Sequence, residues 1–158
     1  MDSKIILRNP EKNDAKKIVN LIKTGGTLDL NSEYLYLLQC THFEKSCCVA
    51  LDNNEIIGFV SGYCVPNNAN TLFIWQVAVS SKYRGRNLAA RMIMNIQKQL
   101  KSQFILSTVS PSNLSSSRVF EKIAKSYETT LTKEVLFEKN DFLNAHEEEV
   151  QFYIGPIK

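Results

Sequence analysis

The stretch Trp75-Gln76-Val77-Ala78-Val79, then Ser80-Ser81-Lys82-Tyr83, then Arg84-Gly85-Arg86-Asn87-Leu88-Ala89 decides the fold. Its first part is apolar and strand-like. Its second part is a short polar turn. Its third part opens a helix over Gly85–Lys101, with Leu88, Met92, Ile96 and Leu100 along one face. A helix N-terminus leaves backbone N–H groups unpaired and carries partial positive charge, so it can hold an anion such as a pyrophosphate. Gly85 removes a side chain where the backbone must approach a phosphate. Arg84 and Arg86 add charge there, or are simply solvated. Taken alone, the stretch implies a phosphate-bearing ligand or no more than a tight strand-to-helix connection.

Outward from it, elements alternate. Lys4–Arg8 reads as a short strand. Asn13 is a candidate N-cap for a helix over Ala15–Lys23, whose Ile18, Val19 and Ile22 form a stripe. Gly25-Gly26 ends that helix, and Asn31 or Ser32 caps a second, Glu33–Cys40. Cys47–Leu51 and Ile56–Val65 read as a hairpin about Asp52-Asn53-Asn54. Pro66–Asn70 is a loop before the strand Thr71–Val79. Phe104–Val109 is a strand, Leu114–Ala124 a helix, and Thr129–Phe137 and Val150–Ile154 two further strands. Without repeats or linkers, 1–158 reads as a single α+β domain, a mixed central sheet flanked by helices.

Composition bounds the function. The 158 residues are 44% hydrophobic and 22% charged, with net charge +3. That balance suits an ordinary soluble globular protein and lacks the clustered basic excess of a nucleic-acid binder. No apolar run approaches the roughly 18 residues needed to span a bilayer. The opening MDSKIILRNPEKND has no apolar core after its charges, so no signal peptide is expected. Cys40, Cys47, Cys48 and Cys64 have no metal-ligand spacing and are expected as reduced thiols in a cytoplasmic protein, without a metal. In a strand, adjacent Cys47 and Cys48 point to opposite faces, which puts at least one in the core.

The turn resembles the Arg/Gln-x-x-Gly-x-Gly/Ala signature of the GCN5-related N-acetyltransferases. Arg84 and Ala89 fit its ends, and Asn87 stands in place of the middle Gly. Asn tolerates a left-handed backbone better than most residues. The order strand, helix, strand, helix from Thr71 to Ala124 is also that family's. More narrowly, the run from Gly26-Thr27-Leu28-Asp29-Leu30-Asn31-Ser32-Glu33-Tyr34 to Leu38 resembles the diaminobutyrate acetyltransferases of ectoine synthesis. So do Gly58–Tyr63, Thr71–Val79, Pro111-Ser112-Asn113, His146–Glu149 and Ile154-Gly155-Pro156. The resemblance covers nearly the whole chain and implies acetyl transfer from acetyl-CoA to the 4-amino group of L-2,4-diaminobutyrate.

It also implies site residues, each beside a plainer reading. An alkyl ammonium with a pKa of about 10 must lose a proton before it attacks, so a carboxylate is needed directly or through water. Asp29 and Glu149 are expected to hold the substrate amine and to take up that proton. Asp29 otherwise reads as a turn residue, and Glu147–Glu149 as a solvated acidic run. By alternation into Val150–Ile154, however, one glutamate points inward. His146 assists or is merely exposed. Tyr34 is a substrate contact or a packing residue. Trp75, the single tryptophan, is core or a wall for the amine.

For the donor, the resemblance assigns the Val77 N–H to the thioester carbonyl. Val79, Arg84, Gly85, Arg86, Asn87, Leu88 and Ala89 are assigned to the rest of the coenzyme. Asn113 is expected on its pantetheine arm, a role compatible with capping the next helix. Many such enzymes carry a thiolate-protonating Tyr seven residues later, where this chain has Phe120. Two rival readings stand beside this one: an acetyltransferase acting on another amine, such as a protein N-terminus or polyamine, and a non-catalytic acyl-CoA-binding sensor. A homodimer is expected, with the apolar C-terminal strand as an available edge.

Overall fold

The computed structural model describes residues 4–25 and 28–158. Seven strands form one mixed sheet in the order β1-β2-β3-β4-β5-β7-β6. The chain divides into two compact units. One holds the residues up to Tyr63 together with Trp75–Lys101; the other holds Cys64–Ile74 with Ser102–Lys158.

The first unit starts with β1 (Ile5–Arg8), which pairs antiparallel with β2 (Cys48–Asp52). Asn13 does not cap the following helix. A single 3-10 turn, Lys12–Asp14, runs straight into α1 (Ala15–Gly25), and Asp14 accepts a hydrogen bond from the Glu11 N–H at 2.7 Å. The acidic side chain three residues on, not the amide, reaches the free donor. The helix ends at Gly25; the expected second glycine of that terminus, Gly26, lies outside the described residues, as does Thr27. Of the two candidate caps for α2 (Glu33–Gln39), Ser32 is the one used: its Oγ accepts from the Leu35 N–H at 3.2 Å.

Ala15, Ile18, Val19 and Ile22 of α1 bury one helical stripe against Tyr36, Cys47, Val49, Leu51, Phe59 and Ala78. Burying each large aliphatic side chain contributes roughly 1.5–3 kcal/mol. α3 (Leu88–Leu100) packs against β2. A Cβ on Gly58 of β3 (Glu55–Val65) would come within 2.9 Å of Met92 Cε and 3.3 Å of Ala50 Cβ, so the missing side chain lets helix and sheet meet. β2 starts one residue later than expected, yet Cys47 and Cys48 are both fully buried. Burial pushes the thiols of Cys40, Cys47 and Cys48 up to about 12, so they stay protonated packing groups.

Where a loop over Pro66–Asn70 was expected, β4 (Asn68–Val79) already begins at Asn68, and Asn67 takes a left-handed φ of 66°. A two-residue turn needs this conformation, and Asn supplies it without glycine.

In the second unit, Thr71–Ile74 of β4 pair in parallel with Phe104–Ser107 of β5 (Phe104–Val109). α4 (Leu114–Ser126) follows, then β6 (Leu131–Phe137) and β7 (Glu149–Ile154). β7 lies between β5 and β6 and bonds antiparallel to both. The C-terminal strand is therefore not a free edge, contrary to expectation; β6 is. The exposed side chains of Val135, Leu136 and Phe137 lie on that edge strand. Among the described residues no helix is long and apolar enough to cross a membrane.

Candidate active site

Within the first unit, the polar turn leaves its backbone open at a helix start. After β4, Ser80 donates its N–H to Ile57 O at 2.8 Å, and a 3-10 turn spans Ser81–Tyr83. Gly85 has φ +83° and nothing within 4 Å of the place a Cβ would take. Asn87 adopts φ 60°, ψ 25°, the left-handed conformation that its place in the motif requires. The helix consequently starts at Leu88, three residues later than its periodicity suggests, because residues 85–87 are spent on the turn. Arg91 N–H makes a helical bond to Asn87 O at 3.1 Å, so the N–H groups of Leu88, Ala89 and Ala90 precede that ladder. Arg84 and Arg86 are exposed, and the Arg86 guanidinium lies 5.0 Å over the Tyr83 ring. Open backbone, a helix end and two exposed cations suit a pyrophosphate. Val77 and Val79 are half-buried on β4, and Leu88 is buried, leaving its N–H as its polar contribution.

The residues of this unit expected to meet the acceptor are Asp29 and Tyr34, in the segment 28–36, and Trp75. Asp29 is exposed, and its backbone carbonyl accepts from Gln76 Nε2 at 2.8 Å. Tyr34 is 69% exposed, which rules out core packing. Tyr36, two residues on, is instead the fully buried tyrosine; its hydroxyl donates to Gln76 Oε1 at 3.0 Å. Trp75 is 49% exposed and meets Tyr63 edge-on at 6.3 Å, so it is no core residue either. Gln76 and Tyr36 were not anticipated. A buried amide between Trp75 and Val77 was the available signal, because a polar group in a central strand needs partners.

Within the second unit, the segment entering β7 grips the loop before α4. Glu147 accepts from Ser112 N–H at 3.2 Å and from Ser112 Oγ at 2.5 Å. Glu149, half-buried as the first residue of β7, accepts from Ser110 Oγ at 3.4 Å. The acidic run is thus divided, one glutamate tied to the loop and another leading the strand. His146 is exposed and stacks on Phe142 at 3.9 Å, with Nδ1 2.5 Å from Glu147 O. Asn113 Oδ1 caps α4, accepting from Ser116 N–H at 3.2 Å. Phe120 is a core residue, 3% exposed and edge-on to Phe152 at 6.2 Å. Among the described residues no group of three or more His, Cys, Asp or Glu is arranged to hold a metal.

A strand, a left-handed turn and a helix, set in a mixed seven-stranded sheet, are the arrangement expected of an acyl-CoA-dependent transferase. The acetyltransferase (GNAT) family model matches residues 16–124, and the chain belongs to that family. It uses acetyl-CoA as its acetyl donor. Its relatives narrow the comparison. The L-2,4-diaminobutyric acid acetyltransferase of Virgibacillus pantothenticus is 40% identical over 94% of this chain and 96% of its own length. That of Halomonas elongata is 36% identical over 99% and 83%. The diaminobutyrate acetyltransferase EctA of Paenibacillus lautus, solved with L-2,4-diaminobutyric acid and coenzyme A, superposes with TM-score 0.92 at 36% identity, covering 99% of this chain and 98% of that one.

Proposed function

We propose that this chain is a diaminobutyrate acetyltransferase that places an acetyl group on the 4-amino nitrogen of L-2,4-diaminobutyrate, the product then serving ectoine synthesis. The observation that carries the reading is the whole-length likeness to an enzyme solved with that substrate and coenzyme A. All 158 residues act as one acetyltransferase domain.

Acetyl-CoA supplies an activated acetyl group as a thioester. The residues of the turn, Arg84 to Ala89, hold its phosphates through N–H groups and the two arginines, and Asn113 meets its pantetheine arm. The Val77 N–H donates to the thioester oxygen, where negative charge grows as the amine attacks. Asp29 and Glu149 hold the substrate's ammonium groups, with Tyr34, Trp75 and His146 as further contacts. Glu149, or Asp29 through water, takes the proton that the attacking amine loses. No acid from this chain is needed for the departing sulfur: a thiol with a pKa of about 8.5 leaves as thiolate far more readily than an amine. Phe120 in place of a tyrosine is therefore compatible with turnover.

The protein works in the cytoplasm as a homodimer. Support for the dimer comes from the edge strand β6, whose Val135, Leu136 and Phe137 are each more than 40% exposed.

A thiol-release assay with diaminobutyrate, ornithine and lysine tests the substrate. Diaminobutyrate should give the highest kcat/KM, and NMR of the product should show the N4 amide. An N2 amide would refute the regiochemistry. A preference for a polyamine or peptide N-terminus would move the chain to another acceptor. Acetyl-CoA binding without turnover of any amine would make it a sensor.

A further inference from the structure

Gln76 sits between Trp75 and Val77 on β4 and is only 7% exposed. A buried amide costs roughly 1–3 kcal/mol if left without partners. Both ends of this one are used, and both uses lead to the same loop. Its Nε2 donates to the carbonyl of Asp29 at 2.8 Å. Its Oε1 accepts from the Tyr36 hydroxyl at 3.0 Å, and that hydroxyl accepts from the Asn31 N–H at 3.2 Å. Two polar groups two residues apart, the Asp29 carbonyl and the Asn31 N–H, are thus clamped by one pair of buried side chains. The clamp is anchored in the sheet, because the Gln76 N–H donates to Oγ of the fully buried Ser61 at 3.1 Å.

Little else fixes this loop. Leu28 is partly buried against the core, while Asp29 and Leu30 are exposed. The clamp holds the peptide planes on either side of Leu30, and with them the direction in which the Asp29 side chain leaves the backbone. Successive strand residues face opposite ways. Anchoring Gln76 therefore also fixes its neighbours Trp75 and Val77 on the other face of β4.

We propose that Gln76, with Tyr36, is the positioning residue that sets acceptor chain length, by fixing the Asp29 carboxylate at one distance from the reacting strand. The proposal rests on the reading of Asp29 as an amine-binding residue. Diaminobutyrate, ornithine and lysine carry the same groups and differ only in the number of methylenes between them. A carboxylate held rigidly discriminates among them; one on a loose loop follows whichever ammonium arrives.

The test is steady-state kinetics with diaminobutyrate and ornithine for Gln76→Glu, Gln76→Leu, Tyr36→Phe and Asp29→Ala, and for the double variant Asp29→Ala/Gln76→Glu. Gln76→Glu keeps shape and loses the donor to Asp29. Each clamp variant should lower the diaminobutyrate-to-ornithine ratio of kcat/KM by roughly ten-fold, the effect of one lost buried hydrogen bond, with acetyl-CoA KM nearly unchanged; Gln76→Glu should also lower the melting temperature, because a buried carboxyl oxygen then faces the Asp29 carbonyl. In the Asp29→Ala background, Gln76→Glu should have no further effect on that ratio. An unchanged ratio, an equal rise in acetyl-CoA KM, or an effect that persists without the Asp29 carboxylate overturns the clamp. If Asp29→Ala itself leaves acceptor kinetics unchanged, the assignment of Asp29 fails and the clamp fails with it. If Asp29→Ala impairs the acceptor and the clamp variants do not, only the clamp fails.

Discussion

The hydroxyl of Tyr83 donates to Oδ2 of the buried Asp52 at 2.5 Å, tying the anion turn to the end of β2. The bond to Asp52, reinforced by burial and by the charges of Asp52 and Glu55, raises the tyrosine's pKa above 10, so the donor stays protonated across neutral pH. The same ring lies under the Arg86 guanidinium. Tyr83→Phe keeps the ring and loses the tether. It should raise acetyl-CoA KM about three- to ten-fold, the weight of one ordinary hydrogen bond, because Tyr83 is partly exposed. The acceptor KM should stay within two-fold; initial rates with each substrate varied in turn separate the two.

The arginines make a related but distinct case. Exposed cations gain modest energy from a phosphate, about 1 kcal/mol each at low salt. Arg84→Ala and Arg86→Ala should each raise acetyl-CoA KM about five-fold at low ionic strength. The penalty should shrink toward two-fold as salt is added, because screening removes what the mutation removed. A penalty independent of salt would mean that neither arginine meets the phosphates through charge.

Asp29 and Glu149 should show the opposite selectivity. A carboxylate that holds an ammonium contributes roughly 1.5–3 kcal/mol when the pair is shielded from water. Asp29→Ala and Glu149→Ala should therefore raise the diaminobutyrate KM ten-fold or more, while calorimetric binding of coenzyme A is unchanged. If Glu149 also takes the proton, its variant alone should lose kcat and shift the pH–rate profile. Parallel loss of coenzyme binding would sink both assignments.

Outside the site, Arg8 and Asp14 form a bidentate ion pair, 2.7 Å and 3.2 Å, with the Asp14 side chain 6% exposed. Burial alone would raise the carboxyl's pKa. The bond from Arg8 and the Glu11 N–H outweigh it, and the net shift is downward from 3.8. A carboxylate whose folded pKa is depressed adds stability above its unfolded pKa and loses it as pH falls through the folded one. Asp14→Asn should therefore cost about 2 kcal/mol at neutral pH, below the full price of a buried pair because Arg8 is partly exposed. The gap between wild type and variant should close below pH 3.8, as urea melts at pH 7, 4 and 3 would record.

The parts of this fold that were legible beforehand share a physical basis. α1 and α3 have periodic apolar faces because each buries one side, and β2 and much of β3 are apolar throughout because both of their faces are buried. The strand-to-helix turn showed itself through Gly85, and Asn87 through its tolerance of a left-handed backbone. What escaped was long-range or conformational. Asn67 turns the chain where five residues of loop were expected, since nothing in a lone Asn announces a positive φ. The 3-10 turn before α1 hid the true cap, Glu11, and its capping-box partner Asp14. Tyr34 and Tyr36 differ by two positions on one short helix, and only the packing shows that Tyr36 is the inward one. The partnership of Tyr36 and Gln76 spans forty residues of chain, and no local pattern could join them.

Phe120 supplies a last prediction, because it occupies the place where many relatives of the fold carry a tyrosine. Its ring is 3% exposed and packs edge-on against Phe152. A hydroxyl added there enters an apolar layer and must find a partner or go unsatisfied, at a cost of roughly 1–3 kcal/mol. On the mechanism proposed above it would add no needed acid either, because a thiol leaves as thiolate more readily than an amine. Phe120→Tyr should lower the melting temperature by several degrees and leave kcat at or below the wild-type value. A rise in kcat, measured by thiol release at saturating acetyl-CoA, would show that protonation of the departing sulfur limits turnover and that the chain lacks an acid it could use.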